Sequence, residues 1–390
     1  MLPVDLPDTV RDALLAPLVD HACHGVRRDE LTRSRFELLL NEGGSPAPPG
    51  TTHFDTPLGA AVRRWCAPVL GLEAHAPPPV YLARRAELGA AEVNRLLLRA
   101  AGVSAFLVDT GPEGADLLTA GEMGRDGGAA ADEVVRIEQI EQDVAELASG
   151  GGSVLDYLAG LGDELTARAA RAVALKTALA GRCDLDLDPG RPSRGAVLAA
   201  ANRRLADPKQ PLAEPALARH LLWAAADAAR DRGLPLQVQT GMGTGMGAGA
   251  GDAGAQPAGP APLAGFVKAL QPAGVPVVLL TCYPYQREAA CLAHAFPHVY
   301  VDVGLALAHA AAGAARVLAE LLELAPFHKQ LYGSGCRGLA ETCHLGAVYF
   351  RCALGAALKA RLDAGEWAAA DAARVAHMIG SGNARRVYRL

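Results

Sequence analysis

Short, largely apolar runs recur along this 390-residue chain with room for one helix between each pair, and that repetition narrows the fold more than any other feature. The runs are 105–109 (AFLVD), 133–137 (EVVRI), 172–176 (AVALK), 235–239 (PLQVQ), 277–280 (VVLL), 298–302 (HVYVD) and 330–333 (QLYG); an earlier run, 17–20 (PLVD), ends in the loop 21–25 (HACHG). Strands that are apolar on both faces belong to a parallel sheet covered by helices on either side. Eight such runs, separated by Ala- and Leu-rich stretches such as 306–324, predict an α/β chain closed into a (β/α)8 TIM-like barrel.

The remaining segments fit around that barrel. Residues 6–18 have helical spacing and form an N-terminal helical segment. The Gly/Pro-rich stretch 42–51 leads into helical spacing over 58–101, broken by the prolines at 77–79, so 42–101 reads as a helical insertion over one barrel mouth. Residues 241–262 (GMGTGMGAGAGDAGAQPAGPAP) predict a flexible Gly/Ala-rich loop. That loop has no GK[ST] ending and no regular GxGxxG opening a helix, which sets aside a phosphate-loop reading. The whole chain, 1–390, reads as one barrel domain.

Composition excludes some partners. The net charge is −5 with no basic block, so nucleic acid has no electrostatic footprint to grip. Charge, Gly or Pro interrupts every long apolar run, which predicts no membrane span. Residues 1–9 carry acids and prolines where a signal peptide needs basic and then apolar residues, and the expected location is cytoplasmic. The eight cysteines form no CxxC pair and are expected to be reduced and buried.

A resemblance is carried by the strand ends: 19–25 (VDHACHG), 64–72 (RWCAPVLGL), 175–177 (LKT) with Arg182, 238–241 (VQTG), 280–285 (LTCYPY) with 287–289 (REA), 300–304 (YVDVG) and 380–386. In order and spacing the chain resembles the amidohydrolase-2 branch of the metal-dependent amidohydrolase superfamily, a branch that includes relatives fused to glutamine-synthetase-like domains. The resemblance implies a first strand ending in His-x-His, metal-binding histidines on strands five and six, and an aspartate on strand eight that binds metal and acts as general base. This sequence departs from that set. Ala22-Cys-His24 keeps only the second imidazole, and Gln239, Thr281 and Gly335 stand where the other ligands belong. An amide, a hydroxyl and a glycine do not replace imidazoles and a carboxylate around Zn²⁺. No metal and no cofactor is therefore expected.

The catalytic candidates are His24, which keeps the lumen-facing position, Lys176 at the end of the fourth strand, and Cys336, a thiol beside Arg337. The substrate-binding candidates are Arg182, His53, Asp55, Gln239, Thr281, Tyr283, Tyr285, Gln286, Asp302 and Arg337, placed on strand ends or the loops that build barrel mouths. A metal site rebuilt from His24, Cys282 and Cys336 is disfavoured, because Cys23 and Cys282 lie one residue out of phase with the missing ligands. The expected function is a metal-independent, repurposed barrel acting on or binding a small carboxylate-bearing metabolite, in the specialised metabolism of a high-GC bacterium. Two alternatives stay open: a non-catalytic pseudoenzyme that binds a partner enzyme, and a metal-dependent hydrolase or decarboxylase whose ligands lie elsewhere. The expected partners are a small-molecule substrate, with a partner enzyme or a homo-oligomer as the protein partner, and neither nucleic acid nor a membrane.

Overall fold

The computed structural model describes residues 2–111, 116–148, 151–179, 188–242 and 259–390. Seven parallel strands lie in sequential order: β1 (Leu18–His24), β2 (Val103–Asp109), β3 (Ala130–Arg136), β4 (Ala174–Thr177), β5 (Leu236–Gln239), β6 (Val277–Leu280) and β7 (Val299–Val301). The eighth run, expected as a strand at 330–333, is extended backbone that bridges the two edges of the sheet. Leu331 N donates to Val301 O at 3.0 Å on the β7 side, while His21 N donates to Tyr332 O and Gly335 N to Ala22 O on the β1 side. Two glycines, Gly333 and Gly335, interrupt a regular ladder there, and Gly335 has φ +62°.

The apolar character of the strands has a direct structural reason. Consecutive side chains on β2 go to different cores: Ala105 and Leu107 join a lumen cluster with Val19, Val134, Ala174, Val278, Leu280 and Leu331, while Phe106 and Val108 face the helical layer. The C-terminal helix Asn383–Tyr388 closes the N-terminal end of the lumen with Ala384, Val387 and Tyr388. A β-bulge in β1 moves the pairing from Asp20↔Phe106 to Cys23↔Val108.

The first helix is Asp8–Leu15, shorter than its helical spacing, because Pro17 leads directly into β1. The prolines at 77–79 start a helix instead of breaking one: Pro77 is the N-cap residue and Pro78 opens Pro78–Leu88. The helix Ala90–Ala100 is the crossover from β1 to β2 and packs against Ala340–Asp363. Most of the Gly/Ala-rich tract at 241–262, namely 243–258, lies outside the described residues. One stretch, Gly304–Leu321, is long and apolar enough to cross a membrane by length and composition. It is divided at Ala311 (φ 47°) into Gly304–Ala310 and Ala314–Leu321, and both pieces pack on Ala340–Asp363 in the outer helical layer.

Candidate functional site

Four charged or titratable side chains meet at the C-terminal ends of the first four strands. The sheet register sets His24 beside Asp109 across β1 and β2, and Arg136 beside Lys176 across β3 and β4. Because alternate residues of a strand share a face, a polar residue that ends an apolar strand projects into the barrel mouth. Asp109 is the centre of the group. Its Oδ2 accepts from Lys176 Nζ at 2.9 Å and from the Arg136 guanidinium, while Oδ1 accepts from Gly111 N at 2.9 Å. Lys176 Nζ also lies 3.3 Å from His24 Nε2, and His24 Nδ1 lies 3.6 Å from Asp109 Oδ2.

The electrostatics follow from that geometry. Burial alone would raise the pKa of Asp109, but the adjacent Arg136 and Lys176 outweigh it and hold the carboxyl well below the usual carboxylate range. Burial pushes His24 well below the usual imidazole range; the charges of Lys176, Arg136 and Arg337 add to this and Asp109 opposes it. The imidazole is therefore neutral near pH 7, and its Nε2 accepts from the Lys176 ammonium. Burial also lowers Lys176, aided by Arg136 and opposed by Asp109. Lys176 is 3 % exposed and His24 19 %, so His24 is the member of the pair that meets solvent. Of the three N–H donors on Lys176, two are engaged among the described residues.

A second cluster lies deeper and toward β7. Asp302 Oδ1 accepts from Thr281 N at 2.7 Å and Gly304 N at 3.1 Å, and Asp302 Oδ2 meets His21 Nε2 at 2.7 Å. His21 Nδ1 faces the Tyr388 hydroxyl at 2.9 Å, and that oxygen accepts from Gln237 Nε2 at 2.9 Å. Thr281 has φ 54°, an unfavourable conformation for a β-branched residue, held in place by the carboxylate it donates to.

The sequence candidates separate into groups. His24 and Lys176 come together, and Arg337 lies close enough for its charge to disfavour His24 protonation. Asp302 and Thr281 belong to the deeper cluster, where both are buried. Gln239 is half-buried, with its amide 3.3 Å from Met242 O. Tyr283 and Tyr285 are half-buried on the loop after β6, joined to Pro284 through a cis peptide at Tyr283. His53 and Asp55 form a short 3-10 turn in which His53 Nε2 bonds to Ser45 O, and nothing brings them to the strand-end cluster. Arg182 lies outside the described residues.

Two further candidates are engaged within the protein. Gln286 opens the helix Gln286–Ala295 after the loop that follows β6, and its amide donates to Glu320 of the helix Ala314–Leu321. Cys336 is fully buried, with its thiol facing His24 O, Cys23 and Cys343; hydrogen bonds from those two thiols lower its pKa, but no reactant can reach it. Cys23 and Cys282 face the outer core, as their phase along the strands predicts. Asp109, Arg136 and His21 were not among the sequence candidates. A charged residue closing an apolar strand is the signal that finds Asp109, and the arginine inside the run EVVRI is a weaker form of it.

The divalent ion that the resemblance implies does not fit the described residues. Ala22, Gln239, Thr281 and Gly335 stand where the resemblance places ligands, and among the described residues no group of three or more His, Cys, Asp or Glu is arranged to hold a metal ion. The Lys176 ammonium, held between Asp109 and His24, supplies a cation at the mouth instead.

Comparison with known proteins gives a consistent picture. A family model described as Amidohydrolase matches residues 162–390. The curated protein fluG of Emericella nidulans is 32 % identical over 115 residues, which is 29 % of this chain and only 13 % of that protein, so the chain spans a small part of its length. Among solved structures, a protein of Lactobacillus casei described as a metal-dependent hydrolase superposes with a TM-score of 0.83 at 22 % identity, over 98 % of each chain. Uronate isomerase of Thermotoga maritima superposes with a TM-score of 0.66 at 13 % identity, over 97 % of each chain. At those identities the likeness is one of fold.

Proposed function

Because the chain belongs to the amidohydrolase family, we propose that its barrel mouth takes a small carboxylate-bearing metabolite and acts on it without a divalent ion, using Lys176 and His24. The observation that carries this reading is the convergence of two cations on one carboxylate: Arg136 and Lys176 share Asp109, and Arg337 lies nearby. A site with surplus positive charge attracts an anion, and a guanidinium fork suits a carboxylate. Family membership sets the fold and the place of the site; the substrate and the reaction are argued from these residues.

The chemistry they offer is proton transfer. The third N–H of Lys176, which has no partner among the described residues, is the donor assigned to a ligand oxygen, and a lowered pKa brings the ammonium nearer to the pH at which it can release that proton. His24 links Lys176 to solvent, so a proton that Lys176 gives up returns through the imidazole. Asp109 keeps both groups in register, and Arg136 fixes Asp109. Decarboxylation, elimination, isomerisation and hydrolysis all need a proton delivered at such a point.

Calorimetric titration with a panel of small mono- and dicarboxylates tests the reading. Binding by the native protein is expected to survive dialysis against a chelator and to weaken at least about tenfold in Lys176→Met, the loss of one charge-assisted hydrogen bond. A stoichiometric divalent metal in protein purified without chelator, lost in His24→Ala, would overturn the metal-free mechanism. Carboxylate affinity unchanged in Lys176→Met would overturn the site.

A further inference from the structure

The opposite face of the barrel carries an arginine-lined cleft that the proposed mouth chemistry does not use. It has a volume of about 340 Å³ and opens at the N-terminal ends of β3, β4 and β5, under the end of the C-terminal helix. Its walls include Asp132 at the start of β3, Arg171 just before β4, Arg232 at the end of the helix Pro215–Arg232, and Tyr388 and Arg389. Three arginines thus line one concavity from three separate parts of the chain. None has a side-chain hydrogen bond or ion pair among the described residues, and Asp132 is the single acidic side chain in the lining. Arg191 and Arg203, by contrast, are paired with Asp227 and Glu214.

The local backbone places one of the three. Arg389 adopts a left-handed conformation, φ 57°, at the C-cap of Asn383–Tyr388, a costly choice for a residue with a side chain. Its guanidinium lies over the bare Cα of Gly233, itself at φ +66°. A Cβ on Gly233 would stand 2.4 Å from Arg389 Nη1. A glycine at the end of one helix and a strained arginine at the end of another therefore hold this cation over the cleft.

We propose that the cleft is a binding site for a multiply charged oxyanion, a phosphoryl or pyrophosphoryl group of a small metabolite. Three arginines set against one acidic side chain leave the cleft with an excess of positive charge, and a ligand carrying two or more negative charges offsets that excess while accepting bidentate bonds from the guanidinium forks. The volume falls within the usual range for small-molecule sites. Asp132 adds selectivity at one wall, where it takes a hydrogen-bond donor from the ligand and repels a further negative group.

Calorimetry with inorganic phosphate and pyrophosphate decides it. Pyrophosphate is expected to bind more tightly than phosphate, with an affinity that falls as salt rises. Arg171→Gln combined with Arg389→Gln should weaken pyrophosphate at least about tenfold, whereas Lys176→Met at the mouth should leave it unchanged. Arg232→Gln alone should give a smaller loss, and it provides a second reading if the double variant does not fold. All three arginines are exposed, so far-ultraviolet circular dichroism should be preserved. Equal affinity in native and arginine variants, loss confined to Lys176→Met, or no binding by the native protein would each overturn the proposal.

Discussion

Asp109 shows how one residue can set the character of a site. Fully buried, it is the single negative partner of Lys176 among the described residues and a main partner of Arg136, and it keeps two cations in place where water cannot solvate them well. A buried pair gains little over a well-packed apolar pair, yet removing one member leaves an uncompensated charge. Asp109→Asn keeps the shape and deletes the charge, and should cost about 3 kcal/mol of stability, toward the low end of the range for breaking buried pairs because Arg136 retains some access to solvent. Urea unfolding checks this: the midpoint should fall with an unchanged slope. Lys176→Met should cost less, since it removes a cation and leaves Asp109 with Arg136.

Among the elements, the eighth segment departs most from its neighbours. Gly335 stands where relatives in the resemblance carry an aspartate, and its surroundings have closed over the space. A Cβ there would meet Leu305 Cβ at 2.6 Å and Leu305 N at 2.8 Å, on a backbone with φ +62°. Gly335→Asp should therefore destabilise the protein by at least about 2 kcal/mol, from the left-handed backbone and the contact with the Leu305 main chain. Adding Ala22→His, Gln239→His and Thr281→His should not give tight zinc binding, which calorimetric titration with Zn²⁺ measures. The strand runs were legible because a parallel barrel needs apolar residues on both faces, and seven of the eight predicted runs became strands within a few residues. The eighth was not, since QLYG reads as a strand while its own Gly333 and the following Gly335 decide its backbone. His24 and Lys176 were legible from their strand-end positions. Asp109 and Arg136 were not singled out, because a charge at a strand end reads equally as a surface pair until the register shows that it meets Lys176. His21 was hidden by the bulge in β1, which breaks simple alternation.

At the scale of the whole molecule, burial of histidine sets the acid limit. His24, His298 and His344 all have lowered pKa values through burial, and His344 is brought down to about 4. A depressed histidine contributes stability that is present above its unfolded value, near 6.5, and is lost as pH falls through the folded value. Asp109 acts in the same sense below the ordinary carboxylate range, while Asp20, raised by burial, acts in the opposite sense. With His220 and His328 lowered by burial as well, the histidines outweigh Asp20, so stability should fall between about pH 6.5 and about pH 4, by up to about 1.4 kcal/mol per pH unit for each well-buried histidine. Urea unfolding across that window should show the slope, and His344→Gln should flatten it. The closure of the ring has a consequence of another kind, in time. β1 is made first, but one of its two edges is satisfied only by residues near 332–338, more than three hundred positions later. A ribosome releasing this chain exposes that edge for most of the synthesis. Until residues 332–338 emerge, the nascent protein carries an open strand that another copy can pair with, so its yield in a cell depends on translation speed and chaperone supply as well as on the stability of the finished barrel.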